Sequence, residues 1–119
     1  MAESNLRLRG PHVYTGAAGD LGEGKVVVDV QGLPESPLSY KDISLSSVVG
    51  KVRKIDAAVA QGKDVLVRCA HGVSRSPTIA KLALSGEGKS FSAARYFPNS
   101  SWEEFARVYA TYFKEKKYL

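Results

Sequence analysis

The chain contains a single cysteine, and it closes an apolar run in "VLVRCAHGVSRSPTIA" (Val65 to Ala80). An arginine follows at a Cys-x5-Arg spacing: Ala70, His71, Gly72, Val73 and Ser74 lie between Cys69 and Arg75. An isolated free thiol is most often a small packed hydrophobe. Here its neighbours argue for chemistry. A short strand-to-helix loop can curl so that successive backbone N–H groups point inward and add to the positive end of the helix dipole. Such a cradle matches a dianionic phosphate. Gly72 suits a tight turn or a close approach of backbone to ligand, and the small side chain of Ala70 avoids crowding it. Arg75 completes the set, because a planar guanidinium holds two phosphate oxygens at once where lysine offers a point charge.

The same field acts on the sulfur. A free thiol titrates near about 8.5, and helix N-termini and adjacent cations lower this to roughly 3.5 to 7.5. Cys69 is therefore expected as a nucleophilic thiolate at neutral pH. A shift of about two units corresponds to ~2.7 kcal/mol, within reach of a few inward N–H groups and Arg75. Ser76 or Ser74 is placed to donate a hydroxyl hydrogen bond to the sulfur when it leaves.

The elements that must hold this loop are readable around it. "HVYTG" (His12 to Gly16) and "KVVVDV" (Lys25 to Val30) read as short strands separated by the glycine-rich "GAAGDLGEG". Pro34 and Pro37 make "QGLPESPLS" a loop, and "YKDISL" reads as a further strand. Val48, Val49, Val52, Ile55 and Val59 follow helical spacing from Ser47 to Ala60, with Gly62 as the stop. "KDVLVRC" reads as a strand covered on both faces, because Val65, Leu66 and Val67 are consecutive rather than alternating. Pro77 suits a first helical turn with Ser76 as N-cap, and that helix is expected to run to about Ser85. A short helix is expected from Phe91 to Phe97, ended by Pro98. In the last helix Ser100 or Ser101 with Glu103 or Glu104 offers a capping box, and Trp102, Phe105, Ala106, Tyr109, Tyr112 and Phe113 form a core stripe.

Strands and helices alternate, so the expected class is α/β: a single domain over 1–119 with a central, mostly parallel sheet of four to five strands flanked by helices. Ligands bind such sheets at the C-terminal ends of the strands, where the cysteine loop falls. The length supports one core, since chains usually divide only beyond about 250 residues. The opening "MAESNLRLRG" has no apolar h-region, and no run reaches the roughly 18 apolar residues of a membrane-spanning helix. With one unpairable cysteine, the expectation is a cytoplasmic protein without a membrane partner. Seventeen Lys and Arg against twelve Asp and Glu give a net charge of +5, a field that attracts anionic ligands.

"VLVRCAHGVSRSPTIA" resembles the signature loop of the cysteine-based protein tyrosine phosphatases, and most the compact dual-specificity branch with its VLVHCxxGxSRS pattern. The close match covers this stretch, and the helix, strand, loop and helix around it extend the likeness over Ser47 to Ser85. The resemblance implies a phosphatase-like fold, a phosphocysteine intermediate on Cys69 and a phosphoryl-binding Arg75. It also implies that Ser76 assists breakdown of the intermediate and that the backbone N–H groups of Ala70, His71, Gly72, Val73, Ser74 and Arg75 bind phosphate oxygens. It implies no metal and no organic cofactor. Phosphate, sulfate or vanadate anions would occupy the loop.

Two departures from that pattern matter. Arg68 stands where the family has a loop-organising histidine; it can still donate hydrogen bonds and favours the thiolate. The family also carries an aspartic acid on an upstream loop to protonate the leaving oxygen. Aligning "YKDISLSS" puts Ser46 or Ser47 at that place. Asp42 is the best substitute, with Asp20, Glu35 or no acid at all as alternatives, and Asp29 reads as structural. The expected activity is hydrolysis of phosphotyrosine, with phosphoserine and phosphothreonine open, in a protein or peptide substrate by a monomeric enzyme. A phosphate-recognition module with little catalysis is the alternative, as is a phosphatase acting on RNA 5′-ends or inositol lipids. Nucleic acid is disfavoured because the Lys and Arg are scattered and the loop holds no lysine.

Overall fold

Val65, Leu66 and Val67 have no solvent exposure, because β4 (Val65–Cys69) is the inner strand of a parallel set. The computed structural model describes residues 6–17, 19–20, 22–70, 75–84 and 100–119. Among them, β2 (Val13–Ala17) and β3 (Val26–Asp29) flank β4, both parallel to it, and β1 (Arg7–Gly10) adds an antiparallel edge to β2. The order is β1-β2-β4-β3, so the α/β class and the mostly parallel sheet are as expected. β1 was not anticipated: "RLRG" is short, and its Leu8 remains exposed.

The chain steps outward from β2 to β3 and then back to β4 between them. Two right-handed crossovers in opposite directions require connections on opposite faces of the sheet. The return is α1 (Leu45–Ala60). Its Val48, Val52 and Ile55 join α2 (Arg75–Leu84) and the inward Val13, Val28, Val65 and Val67 in one core. Leu66 points to the other face and lies under the glycine-rich segment after β2. A Cβ on Gly22 would clash with Val27 Cγ2 and fall 3.7 Å from Leu66 Cδ2, so glycine lets the chain here lie close on the sheet. The described helices therefore cover one face, and this crossing covers part of the other.

The strand expected at "YKDISL" is a 3-10 turn, Tyr40–Asp42. Two serines explain the difference. Ser39 Oγ accepts the Lys41 N–H at 3.2 Å, and Ser44 Oγ accepts the Ser47 N–H at 3.3 Å and caps α1, which starts at Leu45 rather than Ser47. Side chains that bond the nearby backbone in this way compete with a sheet ladder. α2 begins at Arg75, so Ser76 lies inside the first turn rather than at the N-cap; its hydroxyl bonds elsewhere, as described below. The helix expected over Phe91 to Phe97 and the end expected at Ser85 lie outside the described residues.

The last helix is two: α3 (Ser100–Val108) and α4 (Ala110–Lys114), with Tyr109 at the join. α3 is described from Ser100, so the capping box expected at Ser100 or Ser101 falls inside the helix, and the residues before it are outside the described set. The aromatic stripe is core, as expected. Trp102 meets Phe105 edge-on at 5.6 Å, and Phe105 lies 4.8 Å from Tyr109 and 6.4 Å from Phe113, all between ring centroids. Among the described residues, no helix is long and apolar enough to cross a membrane.

Beyond α4 the chain is tied back to α1 and α2. Lys116 Nζ donates to Asp56 Oδ1 at 3.0 Å and to the Ala83 carbonyl at 3.3 Å, while the Tyr118 hydroxyl donates to Asp56 Oδ2 at 2.6 Å. Burial, then the Asp56 carboxylate, push the Tyr118 phenol well above its ordinary range. A pKa raised by folding favours the folded state below the unfolded value, about 10 for a phenol, and that contribution is lost as pH rises beyond it. Urea unfolding between neutral pH and pH ~11 should show an alkaline loss of stability, of which Tyr118→Phe lacks a part. At neutral pH the same variant should be less stable by about 1 kcal/mol.

Candidate active site

Parallel pairing aligns three strand ends: Ala17 sits opposite Cys69, and both Gly16 and Asp29 sit opposite Arg68. The site is built at this C-terminal edge from the last residue of β4, the first turn of α2 and the segments that leave β2 and β3. Cys69 is buried, which by itself suits a packed thiol equally well. Its bonding sets it apart. Cys69 Sγ lies 3.4 Å from Ser76 Oγ, and the Ser76 hydroxyl donates to the Gly16 carbonyl at 3.4 Å. With the thiol protonated, S–H donates to Ser76; with a thiolate, the Ser76 hydroxyl turns and donates to sulfur.

Arg75 is 6% exposed. Its Nη1 donates to the Gln31 carbonyl at 2.7 Å and to the Leu33 carbonyl at 2.9 Å, both in the segment after β3. Its Nε is buried and has no hydrogen-bond partner among the described residues. An unsatisfied buried donor costs about 1–3 kcal/mol, and more when it is charged. The Nε edge of this guanidinium is thus left with capacity for an acceptor.

Arg68 turns away from this edge. Its Nε donates to Asp29 Oδ2 at 3.2 Å, and its Nη1 donates to the Asp20 carbonyl at 3.3 Å. Asp29 also accepts the Gln31 backbone N–H and side-chain Nε2, each at 2.9 Å. Burial acts to raise the Asp29 pKa, but these bonds from Gln31 and the bond and charge of Arg68 outweigh it and hold the carboxyl below its usual range.

Of the residues singled out from sequence, Cys69, Arg75 and Ser76 come together at this edge, with Ala70 half-buried beside Cys69. His71, Gly72, Val73 and Ser74 lie outside the described residues. The candidate acids lie in three different segments. Asp20 Oδ2 accepts the Ala17 N–H at 2.7 Å and closes the end of β2. Glu35 is exposed in the proline loop, and Asp42 is exposed in the 3-10 turn, with no hydrogen bond to Cys69, Arg75 or Ser76 among the described residues. Sequence reasoning missed the carbonyls of Gly16, Gln31 and Leu33, which carry no side-chain signature. Asp29, read from sequence as structural at a strand end, does end β3 and closes an Asx turn on Gln31.

Comparison of the chain with protein-family models, with curated proteins and with solved structures found no match in any of the three.

Proposed function

We propose that this chain is a phosphomonoesterase acting on phosphotyrosine, and on phosphoserine or phosphothreonine as secondary substrates, through a phosphocysteine intermediate. The observation that carries the reading is the buried Nε of Arg75 at the head of α2, which has no hydrogen-bond partner among the described residues. A phosphoryl oxygen supplies the acceptor it lacks, and the thiol one strand end away supplies the nucleophile. The resemblance of the Cys69 to Arg75 loop to the dual-specificity phosphatases supports the same conclusion.

In the first step the Cys69 thiolate attacks phosphorus. The S–P bond forms, the P–O ester bond breaks, and the leaving oxygen takes a proton from a general acid, for which Asp42 is the proposed group. In the second step the deprotonated Asp42 takes a proton from the attacking water, the new P–O bond forms, the S–P bond breaks, and the departing thiolate regains the Ser76 hydroxyl bond, which leaves inorganic phosphate and a reprotonated acid. Arg75 holds phosphoryl oxygens through both steps, so the developing equatorial charge meets a fixed cation rather than solvent. No metal or organic cofactor enters this scheme. A phosphorylated protein or peptide is the proposed partner of a monomeric, cytoplasmic enzyme.

The test is a pH-rate profile with para-nitrophenyl phosphate and a phosphotyrosine peptide. Asp42→Asn should slow the peptide by about a hundredfold, barely change the activated ester, whose phenolate leaves unaided, and remove the alkaline limb. An unaltered profile would exclude Asp42 as the acid. One observation favours a second reading, a phosphate-binding module with slow turnover: Asp42 and Glu35 are exposed and have no hydrogen bond to Cys69, Arg75 or Ser76 among the described residues. Phosphate binding without turnover of either substrate would establish that reading instead.

A further inference from the structure

Arg75 is held by backbone carbonyls, so what fixes those carbonyls fixes the arginine. The segment after β3 is a tight turn: the Leu33 N–H bonds to the Val30 carbonyl at 3.1 Å, and the Val30 N–H bonds to the Arg68 carbonyl of β4 at 2.8 Å. Gln31 sits inside it, followed by Gly32, at which a Cβ would meet nothing within 4 Å. Asp29 holds the residue whose carbonyl meets Arg75 Nη1: one carboxylate oxygen accepts the Gln31 backbone N–H and the other accepts the Gln31 side-chain amide N–H, so the Gln31 Cα from which the carbonyl projects is fixed.

We infer that Asp29 is a positioning residue: through Gln31 it aims the carbonyl that holds Arg75 Nη1, and so fixes which edge of the guanidinium is offered to an anion. The inference rests on the phosphate-binding reading of Arg75. Charge placement supports it. A carboxylate bonded directly to Arg75 would compete with phosphate, whereas neutral carbonyls leave its positive charge uncompensated. The charge of Asp29 is matched instead by Arg68, whose Nε reaches Asp29 Oδ2. Arg68, standing where the related loops have a histidine, thus orders the site from the strand rather than from within the loop. The lowered pKa of Asp29 keeps this anchor ionised throughout the neutral range.

The experiment is a double-substitution cycle on the full chain: Asp29→Ala and Asp29→Asn, each in the wild-type and the Arg75→Lys background. kcat and KM are measured for para-nitrophenyl phosphate, inorganic phosphate is used as the competing ligand, and urea unfolding confirms that each variant is folded. Asp29→Ala should lower kcat/KM and weaken phosphate inhibition by about tenfold, because a small misplacement of a catalytic group is costly. Asp29→Asn keeps an acceptor for the Gln31 N–H and should lose only about threefold. In the Arg75→Lys background, where no guanidinium edge remains to be aimed, both losses should largely vanish. Should Asp29→Ala fail to fold, Asp29→Asn carries the same comparison. Wild-type kinetics in a folded Asp29 variant, or an equal loss in both backgrounds, overturns the inference and leaves the phosphate reading standing. A wild-type chain that neither turns over the ester nor binds phosphate removes both.

Discussion

Cys69→Ser should reduce hydrolysis of para-nitrophenyl phosphate to the blank rate while inorganic phosphate still binds. The substitution changes one atom at the end of β4, and a hydroxyl fits the space of a thiol that is already buried against Ser76. A serine hydroxyl, however, is far less acidic than a thiol and is a weak nucleophile without an adjacent base. The Ser76 hydroxyl that it meets is no such base. Nucleophile removal in such sites costs several orders of magnitude, on the order of 10⁶ where it has been separated from the other groups. Binding survives because Arg75 and its supporting carbonyls are untouched. Mass spectrometry of wild type quenched during turnover should find one phosphoryl group on Cys69, absent in Cys69→Ser. Turnover retained in Cys69→Ser would sink the phosphocysteine mechanism outright.

Trp102→Ala should be the most destabilising single change among the described residues. Trp102 is 1% exposed, meets Phe105 edge-on, and donates its indole N–H to the Pro34 carbonyl at 2.8 Å. Truncating a buried aromatic to alanine costs about 3–5 kcal/mol, against a total stability of roughly 5–15 kcal/mol for a domain. Trp102→Phe separates two roles. It keeps most of the ring and loses the hydrogen bond, for a cost of about 1 kcal/mol. Pro34 directly follows Leu33, whose carbonyl bonds Arg75, so Trp102→Phe should also lower kcat/KM in fully folded protein. Urea unfolding and steady-state kinetics on the same samples separate the two effects.

The parts of the fold that could be read from sequence were those with a repeating physical signal. The valines of β4, the 3.6-residue spacing in α1 and the aromatic stripe of α3 and α4 each announce burial, and each is buried in the core or, as at Val49, Val59, Tyr109 and Tyr112, half-buried against it. Misreadings occurred where a single side chain outcompeted the pattern. Ser39 and Ser44 turned an apparent strand at Tyr40 to Leu45 into a turn, a helix cap and the start of α1, and the bonding of Ser76 to Cys69 and Gly16 went with a place inside the helix. The candidate site divides in the same way. Cys69, Arg75 and Ser76 were legible because side-chain identity at fixed spacing is what their chemistry needs. The carbonyls that hold Arg75 were not, because every residue has one, and only the fold determines where Gln31 and Leu33 point theirs.

The strand order has a consequence for how the chain acquires its site. β2 and β3 are not neighbours; each meets β4 alone on its inner side, and Val13 pairs with Val65 across most of the chain's first half. Until β4 inserts, the parallel part of the sheet does not exist, and the loop-closure entropy of both long connections opposes it. The strand that completes the sheet is the one that ends in Cys69. Sheet closure and assembly of the site are therefore one kinetic event, and a refolding chain should regain phosphate binding in step with its slowest structural phase.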